Sequence, residues 1–397
     1  MNNRELFFKN LAQTSPFPLA FEISKAEGCY MFGPDNKKYL DLISGIAVSN
    51  VGHRHPYVVS KIKEQLDKYM HLMVYGEIVQ MPQVQLAKKL GNLLPWKENT
   101  QTYLVNSGSE AIEGAIKLAK RYTGKTKLVS CKNAYHGSTH GALSLMGNEM
   151  FKESFRPLLP GITHIEYGKV DDLSWIDEST AAIIIEPIQG EAGVRIASDS
   201  YFKELNKKCK QTGTLIIADE IQSGFGRTGS WFAFERVGLI PDIIVMAKGM
   251  GGGMPIGAFA SSFDMMNCLT NNPILGHITT FGGHPVCSAA AFASIEVIES
   301  ERLLVNVNER SAQFKKNLIH PSIKEIRGEG LMLAVELDTF ENVQKVIELC
   351  LQNGLFTDWF LFCDNAIRVA PPLIISEEEI DFAIKILWKA LSIVYSI

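Results

Sequence analysis

Two residues of this chain stand where an apolar strand runs into a glycine-rich turn, and their types suit chemistry on a bound ring. Lys248 follows Val245-Met246-Ala247 and opens Gly249-Met250-Gly251-Gly252-Gly253. Apolar walls disfavour an ammonium ion, so such a lysine offers a neutral amine as nucleophile. Glycines let the backbone approach a bulky planar ligand. The plainer reading is a surface lysine at a strand end. Asp219 ends Leu215-Ile216-Ile217-Ala218, at the carboxyl edge of a buried strand, where open α/β sheets bind ligands. A carboxylate there suits a protonated ring nitrogen. The plainer reading is a cap on the next segment.

Further segments add weaker signals. Ser107-Gly108-Ser109-Glu110 leads into a helical pattern, and a helix N-terminus is a ready phosphate cup, although Ser109 and Glu110 also fit ordinary capping. Tyr135, after the strand pattern Lys127–Cys131, is placed to stack on a flat ligand or to close the core edge. His136 with His140, and His53 with His55, lack a third ligand at zinc-like spacing, so no metal site is expected. Gly224, Gly226 and Gly229 match G-x-G-x-x-G, which raises a nicotinamide-dependent oxidoreductase as an alternative of another class. Asp219-Glu220-Ile221-Gln222 separates those glycines from the strand, and Ser230-Trp231-Phe232 starts a helix poorly, so the match is discounted.

The elements that must position these residues follow from periodicity. Strand patterns fall at Lys127–Cys131, Ala181–Glu186, Thr214–Asp219 and Asp242–Met246. Two of them are apolar on both faces, as in parallel strands covered by helices on each side. Glu110–Tyr122 puts Ala111, Ile112, Ala115, Ile116 and Ala119 on one helical face. The alternation predicts a doubly wound α/β domain. Phe21–Leu42 reads as hairpin-like strands. After Gly328 the pattern is strand (Gly330–Leu337), helix (Glu341–Asn353), strand near Ile367–Val369 and helix (Glu377–Ser396). The two ends together predict a small α+β domain, with segments 1–45 and 296–397 flanking a large domain of 46–295.

With 39 basic and 43 acidic residues the net charge is −4, which argues against nucleic acid or an anionic membrane as main partner. The 46% hydrophobic and 21% charged content is that of a globular protein of 397 residues, large enough to bury its own core. The first ten residues hold no apolar signal core. The charge-free stretch Met265–Ile295 is broken by Asn271, Asn272, Pro273 and Gly276, so no membrane span is expected. Seven cysteines without a C-x-x-C pair read as reduced thiols in a cytoplasmic protein.

Taken together, the segments resemble the class III pyridoxal-phosphate-dependent aminotransferases of fold type I, nearest to the acetylornithine and ornithine enzymes. The resemblance runs from about Phe17 to about Ile375. It rests on the run from Asp219 to Gly229, with Lys248 placed 29 positions after Asp219. Gly52-His53-Arg54-His55-Pro56, Glu186-Pro187-Ile188-Gln189-Gly190-Glu191, Thr280-Phe281-Gly282-Gly283-His284-Pro285 and Arg368-Val369-Ala370-Pro371-Pro372 also match.

The resemblance implies pyridoxal 5'-phosphate carried by Lys248 as a Schiff base, with Lys248 then acting as general base. Asp219 would face the ring nitrogen, and Ser107, Gly108 and Ser109 the phosphate. Tyr135, His136, Glu186 and Gln222 would surround the ring. Thr280 would reach the phosphate of a second subunit, which implies a homodimer. Glu191 and Arg368 resemble a carboxylate gate, in which the glutamate covers the arginine until a dicarboxylate displaces it. The implied reaction is ping-pong transfer of an ω-amino group from an ornithine- or N-acetylornithine-like donor to 2-oxoglutarate.

Two departures touch the substrate pocket. Ser138 stands where an arginine is usual, leaving Arg54 or Arg156 to serve a substrate carboxylate, or a substrate that lacks one. Ile46 stands where ornithine enzymes carry tyrosine. A 4-aminobutyrate- or lysine-type aminotransferase, an aminomutase or a racemase are the alternatives within the family.

Overall fold

The computed structural model describes residues 2–396. In chain order its strands are β1 (Lys25–Glu27), β2 (Tyr30–Phe32), β3 (Lys38–Asp41), β4 (Thr100–Val105), β5 (Lys127–Cys131), β6 (Ile162–Ile165), β7 (Thr180–Ile185), β8 (Leu215–Asp219), β9 (Ile243–Met246), β10 (Gly257–Ser262), β11 (Glu325–Glu329), β12 (Met332–Glu336), β13 (Leu355–Phe356), β14 (Trp359–Phe360) and β15 (Cys363–Val369). The main sheet has the order β4-β10-β9-β8-β7-β5-β6. β5 to β9 pair in parallel, and β10 runs antiparallel to both β9 and β4.

Side-chain alternation divides the interior between the two faces of this sheet. Ile184, Ile217, Val245 and Phe259 pack on one side with Ala111, Ile112, Ala115 and Ala119 of the helix Gly108–Thr123. Ile183, Ile185, Ile216, Ala218, Ile244 and Met246 face the other side. There they meet Tyr201, Phe202 and Leu205 of the helix Asp199–Thr212, and Ala290 and Ala291 of the helix Pro285–Ser300. The doubly wound expectation holds. The strand bounds expected for β7 and β8 sit within one residue of those observed. Strands β4, β6 and β10 carry no apolar run of comparable length and were not expected.

The two chain ends meet. β3 pairs in parallel with β13, so Leu40 lies opposite Leu355 in the sheet β1-β2-β3-β13. A second small sheet, β11-β12-β15-β14, brings Arg368 on β15 beside Ala334. Among the described residues no helix is long and apolar enough to cross a membrane, and all seven cysteines are free thiols.

After β3 the backbone enters the left-handed region at four successive residues, Ser44 (φ 48°), Gly45 (66°), Ile46 (62°) and Ala47 (60°). Each non-glycine residue there costs roughly 1–2 kcal/mol, so the turn needs external support. Asp41 accepts hydrogen bonds from the amides of Ile43 (2.8 Å) and Ser44 (2.9 Å). Arg227, fully buried, donates from Nη2 to Asn50 Oδ1 (2.7 Å) and Ser44 Oγ (3.3 Å), and from Nη1 to the carbonyls of Leu331 (2.9 Å) and Pro371 (2.5 Å). Burial pulls its guanidinium down to about 9, against the raising influence of Asp41, so it remains charged at neutral pH.

Arg227 thus ties the left-handed turn to the small domain. Arg227→Met is expected to lower unfolding free energy by roughly 2–4 kcal/mol, because several buried acceptors lose their donor. Urea unfolding checks this, and an unchanged midpoint would show that Arg227 does not support the turn.

Candidate active site

The carboxyl ends of the parallel strands enclose a cavity of about 440 Å³. It is lined by Asn106, Ser107, Gly108 and Ser109 after β4, by Tyr135, His136 and Gly137 after β5, and by Glu186 and Glu191 after β7. Asp219, Ile221 and Gln222 line it from β8, and Ala247 and Lys248 from β9. Gly253, Met254, Pro255, Ile256 and Val48 complete the wall.

Asp219 lies opposite Val245 in the β8–β9 register, and Lys248 follows three residues later. The lysine and the acid therefore share one cavity. Lys248 has φ +46°, a sparsely populated conformation for a side-chain-bearing residue and one that functional sites tend to hold. Its amine makes no hydrogen bond among the described residues. Burial lowers its pKa, opposed by the charge of Glu191 and reinforced by that of Arg368.

Asp219 is buried and both of its oxygens are engaged. Oδ1 accepts from the amide of Ile221 (3.0 Å), and Oδ2 pairs with His136 Nδ1 (2.7 Å). Burial alone would lower His136, but the hydrogen bond and charge of Asp219, with the charge of Glu186, raise it overall. Glu186 accepts from the amides of Tyr135 (3.1 Å) and Gly190 (2.9 Å). Burial is the main reason its carboxyl is pushed up to about 7. The charge of His136 opposes this and that of Asp219 adds to it.

The helix Gly108–Thr123 opens on this cavity. Ser107 caps it, its Oγ accepting from the amide of Glu110 at 3.2 Å, while the amides of Gly108 and Ser109 take no partner among the described residues. Gly137 packs on this end with φ +125°, and a Cβ there would lie 2.1 Å from Ser109 Oγ. The cradle therefore depends on glycine.

Glu191 and Arg368 form a buried, bidentate ion pair, with Nη1–Oε1 at 2.9 Å and Nη2–Oε2 at 3.0 Å. Burial would raise Glu191, but the arginine outweighs it and holds the carboxyl down at about 2. Gln222 Nε2 donates to Glu191 Oε1 at 3.1 Å. A Cβ on Gly190 would lie 2.1 Å from Gln222 Oε1, so Gln222 reaches Glu191 over a bare backbone.

The family model of the class III aminotransferases matches residues 12–391. The chain belongs to this family. An acetylornithine aminotransferase of Archaeoglobus fulgidus is 40% identical over 92% of this chain and 94% of its own length. An ornithine aminotransferase of Staphylococcus aureus is 37% identical over 91% and 92%. Among solved structures, a transaminase from the marine bacterium Virgibacillus superposes with a TM-score of 0.93 at 27% identity, covering 99% of each chain. An ornithine aminotransferase of Toxoplasma gondii superposes with 0.92 at 29% identity, covering 100% of this chain and 96% of its own. A second structure of that enzyme is described with partial occupancy of PLP at its active site.

As a class III aminotransferase the chain is a transaminase with pyridoxal phosphate as cofactor. The donor set fits that group. An unpartnered amine, a buried carboxylate and a helix end with free amides face one cavity, and they suit an aldehyde, a ring nitrogen and a phosphate in turn.

Of the residues singled out in the sequence, Ser107, Gly108, Ser109, Tyr135, His136, Glu186, Glu191, Asp219, Gln222 and Lys248 line the cavity, and Arg368 stands behind Glu191. Ile46, Ser138 and Thr280 do not line it. Ile46 belongs to the left-handed turn that leads to Val48. Ser138 is exposed at the rim, its Oγ 3.2 Å from Tyr135 Oη. Thr280 is exposed. Arg54 and Arg156 are exposed and outside the cavity, and Arg156 is hydrogen-bonded to Glu149. The Gly224–Gly229 run forms turns that end before a four-residue helix, Phe234–Val237, and not the strand–turn–helix unit of a dinucleotide site.

Val48, Ile221 and Met254–Ile256 escaped the sequence reading. The Met-Pro-Ile run after the glycines was the signal available, since a proline fixes where a glycine loop re-enters a strand. Asp358 also escaped. Its Oδ1 lies 2.9 Å from Arg368 Nε, and no spacing rule links it to that residue.

Proposed function

We propose that this transaminase moves the terminal amino group of an ornithine- or N-acetylornithine-like donor to 2-oxoglutarate in a ping-pong exchange. The Glu191–Arg368 pair carries the reading. One arginine edge is neutralised by a removable carboxylate in a cavity wall, so the site can present either a covered or a bare guanidinium. A covered arginine suits a donor entering amine first, and a bare one suits a dicarboxylate bound bidentately.

Pyridoxal phosphate, when bound, supplies the electron sink for the bond broken next to the amino group. Lys248 would anchor it, and Nζ would take and return the proton moved along the substrate. Asp219, held by His136 and the Ile221 amide, would keep a proton on the ring nitrogen. The Gly108 and Ser109 amides with Ser107 would hold the phosphate, Tyr135 would cover a ring face, and Gln222 would link the ring edge to Glu191. Glu186 would orient the ring surroundings. Thr280, exposed and outside its own chain's cavity, would complete the site of a second copy in a homodimer. Free thiols throughout support a cytoplasmic setting.

A panel of ornithine, N-acetylornithine, lysine and 4-aminobutyrate, each with 2-oxoglutarate, tests the reading. Turnover with none of the four would reject it, and racemisation without net amino transfer would favour the racemase alternative.

Ser138 favours one refinement, since Lys248 is the single lysine or arginine lining the cavity among the described residues. A donor carboxylate near Tyr135 would find no fixed cation of this chain. Ser138→Arg is expected to lower KM for N-acetylornithine or glutamate by roughly three- to tenfold, through one new charge-assisted contact. Steady-state kinetics check this, and unchanged KM for both would place Ser138 outside the substrate path.

A further inference from the structure

Arg368 has a second acid partner, and the two acids use different edges of its guanidinium. Glu191 occupies Nη1 and Nη2, while Asp358 Oδ1 holds Nε at 2.9 Å. The carbonyl of Trp359 accepts from Nη2 at 3.1 Å, and the Phe360 ring lies 4.4 Å from the guanidinium carbon. Asp358 is itself set by the backbone. The Arg368 amide donates to the Asp358 carbonyl at 2.9 Å, and Thr357 Oγ1 donates to the Arg368 carbonyl at 2.6 Å. The same short segment reaches Glu191, whose Oε2 accepts from the Leu361 amide at 3.2 Å.

If Glu191 leaves, the Nη1 hydrogen bond among the described residues goes with it, and Nη2 keeps its bond to the Trp359 carbonyl, beside the Phe360 ring. A free arginine side chain then has many rotamers and would lose its aim. The bond at Nε does not depend on Glu191.

We propose that Asp358 is a positioning residue for carboxylate recognition: by holding Nε of Arg368 it keeps the Nη1–Nη2 edge pointed at the place Glu191 now fills, so that an incoming substrate carboxylate meets a pre-aimed guanidinium. This rests on the reading of Arg368 as the carboxylate site. Asp358 touches neither the cavity nor the reacting atoms, and acts through Arg368 alone. A pre-organised fork binds carboxylate better than a mobile one because less freedom is lost on binding.

Glutarate, a dicarboxylate with no oxo group, serves as probe, titrated calorimetrically into the holoenzyme. Asp358→Ala and Asp358→Leu remove the acceptor with and without leaving a gap, so one variant carries the test if the other does not fold. Each is expected to raise the glutarate Kd about tenfold, as loss of one hydrogen bond to a charged group implies. The KM of ornithine, which would enter with Glu191 in place, is expected to change by less than about twofold, within the range of substitutions away from a contact. Asp358→Asn keeps an oxygen acceptor and is expected to recover most of the glutarate affinity.

Unchanged glutarate affinity in the folded Ala or Leu variant overturns the inference, as does a rise in ornithine KM equal to the glutarate effect. Arg368→Ala separates the two levels. If it leaves glutarate binding intact, the carboxylate-site reading itself fails. If it abolishes binding while the Asp358 variants do not weaken it, only the role of Asp358 falls.

Discussion

Replacing Lys248 by alanine is expected to lower kcat by at least about 10⁴-fold, the upper range for loss of a positioned general acid–base group, since the covalent anchor goes as well. The structure explains why no neighbour substitutes. Lys248 is the single lysine or arginine lining the cavity among the described residues, and its amine is free of hydrogen bonds. Burial lowers its pKa, so the uncharged form needed for nucleophilic attack and proton transfer is favoured over that of a solvent lysine. The fold should survive the change, because the side chain supports no other described residue by hydrogen bond. Steady-state rates, with far-ultraviolet circular dichroism as control, check both parts. Borohydride reduction of the wild-type holoenzyme should fix the cofactor at position 248 and fail to do so in the variant. A variant with near-native turnover would remove Lys248 from the mechanism.

What the sequence disclosed of this arrangement follows from where the chain is one-dimensional in its chemistry. Strands β7 and β8 are buried on both faces, so composition alone marks them, and the acid at the end of β8 is marked with them. Lys248 is flagged by its glycines. Strands β4 and β10 carry Thr, Gln, Ser and Gly among their apolar residues, because β4 is an edge strand and β10 packs closely on the helix Gly108–Thr123. Their pattern therefore resembles loop.

Strand β13 has two residues, and only its pairing with β3 across more than 300 positions makes it a strand. The same limit hides Asp358 and Arg227. Each is an ordinary charged residue until tertiary register brings a guanidinium, a carboxylate or a carbonyl beside it. The left-handed turn at Ser44–Ala47 ran against every local preference of Ile46 and Ala47. Its cause is the distant Arg227 with Asn50 and Asp41, at a place next to the cavity where strain tends to be kept.

Asp219→Asn is expected to lower kcat by roughly 10²–10³-fold, the scale for losing one pre-organised electrostatic partner of a developing charge, while cofactor affinity changes little. The asymmetry follows from the site. In the proposed arrangement Gly108 and Ser109 would hold the phosphate and Lys248 would anchor the cofactor, neither through Asp219, so binding should survive. What would disappear is the negative charge proposed to face the ring nitrogen, which would keep that nitrogen protonated. Glu186, which lines the same cavity, does not replace it. Its oxygens are occupied by the amides of Tyr135 and Gly190, and burial pushes its carboxyl up, so it is a weaker anion than an ordinary glutamate.

His136 supplies a second arm of the test. The hydrogen bond and charge of Asp219, ahead of the charge of Glu186, raise the imidazole above its ordinary value. Its titration, followed by NMR, should therefore shift downward in Asp219→Asn, where burial is left as the dominant influence. A kcat within about tenfold of wild type would be smaller than the loss of any such partner predicts. Coupled with an unmoved His136, it would show that the carboxylate at the end of β8 serves the fold and not the reaction.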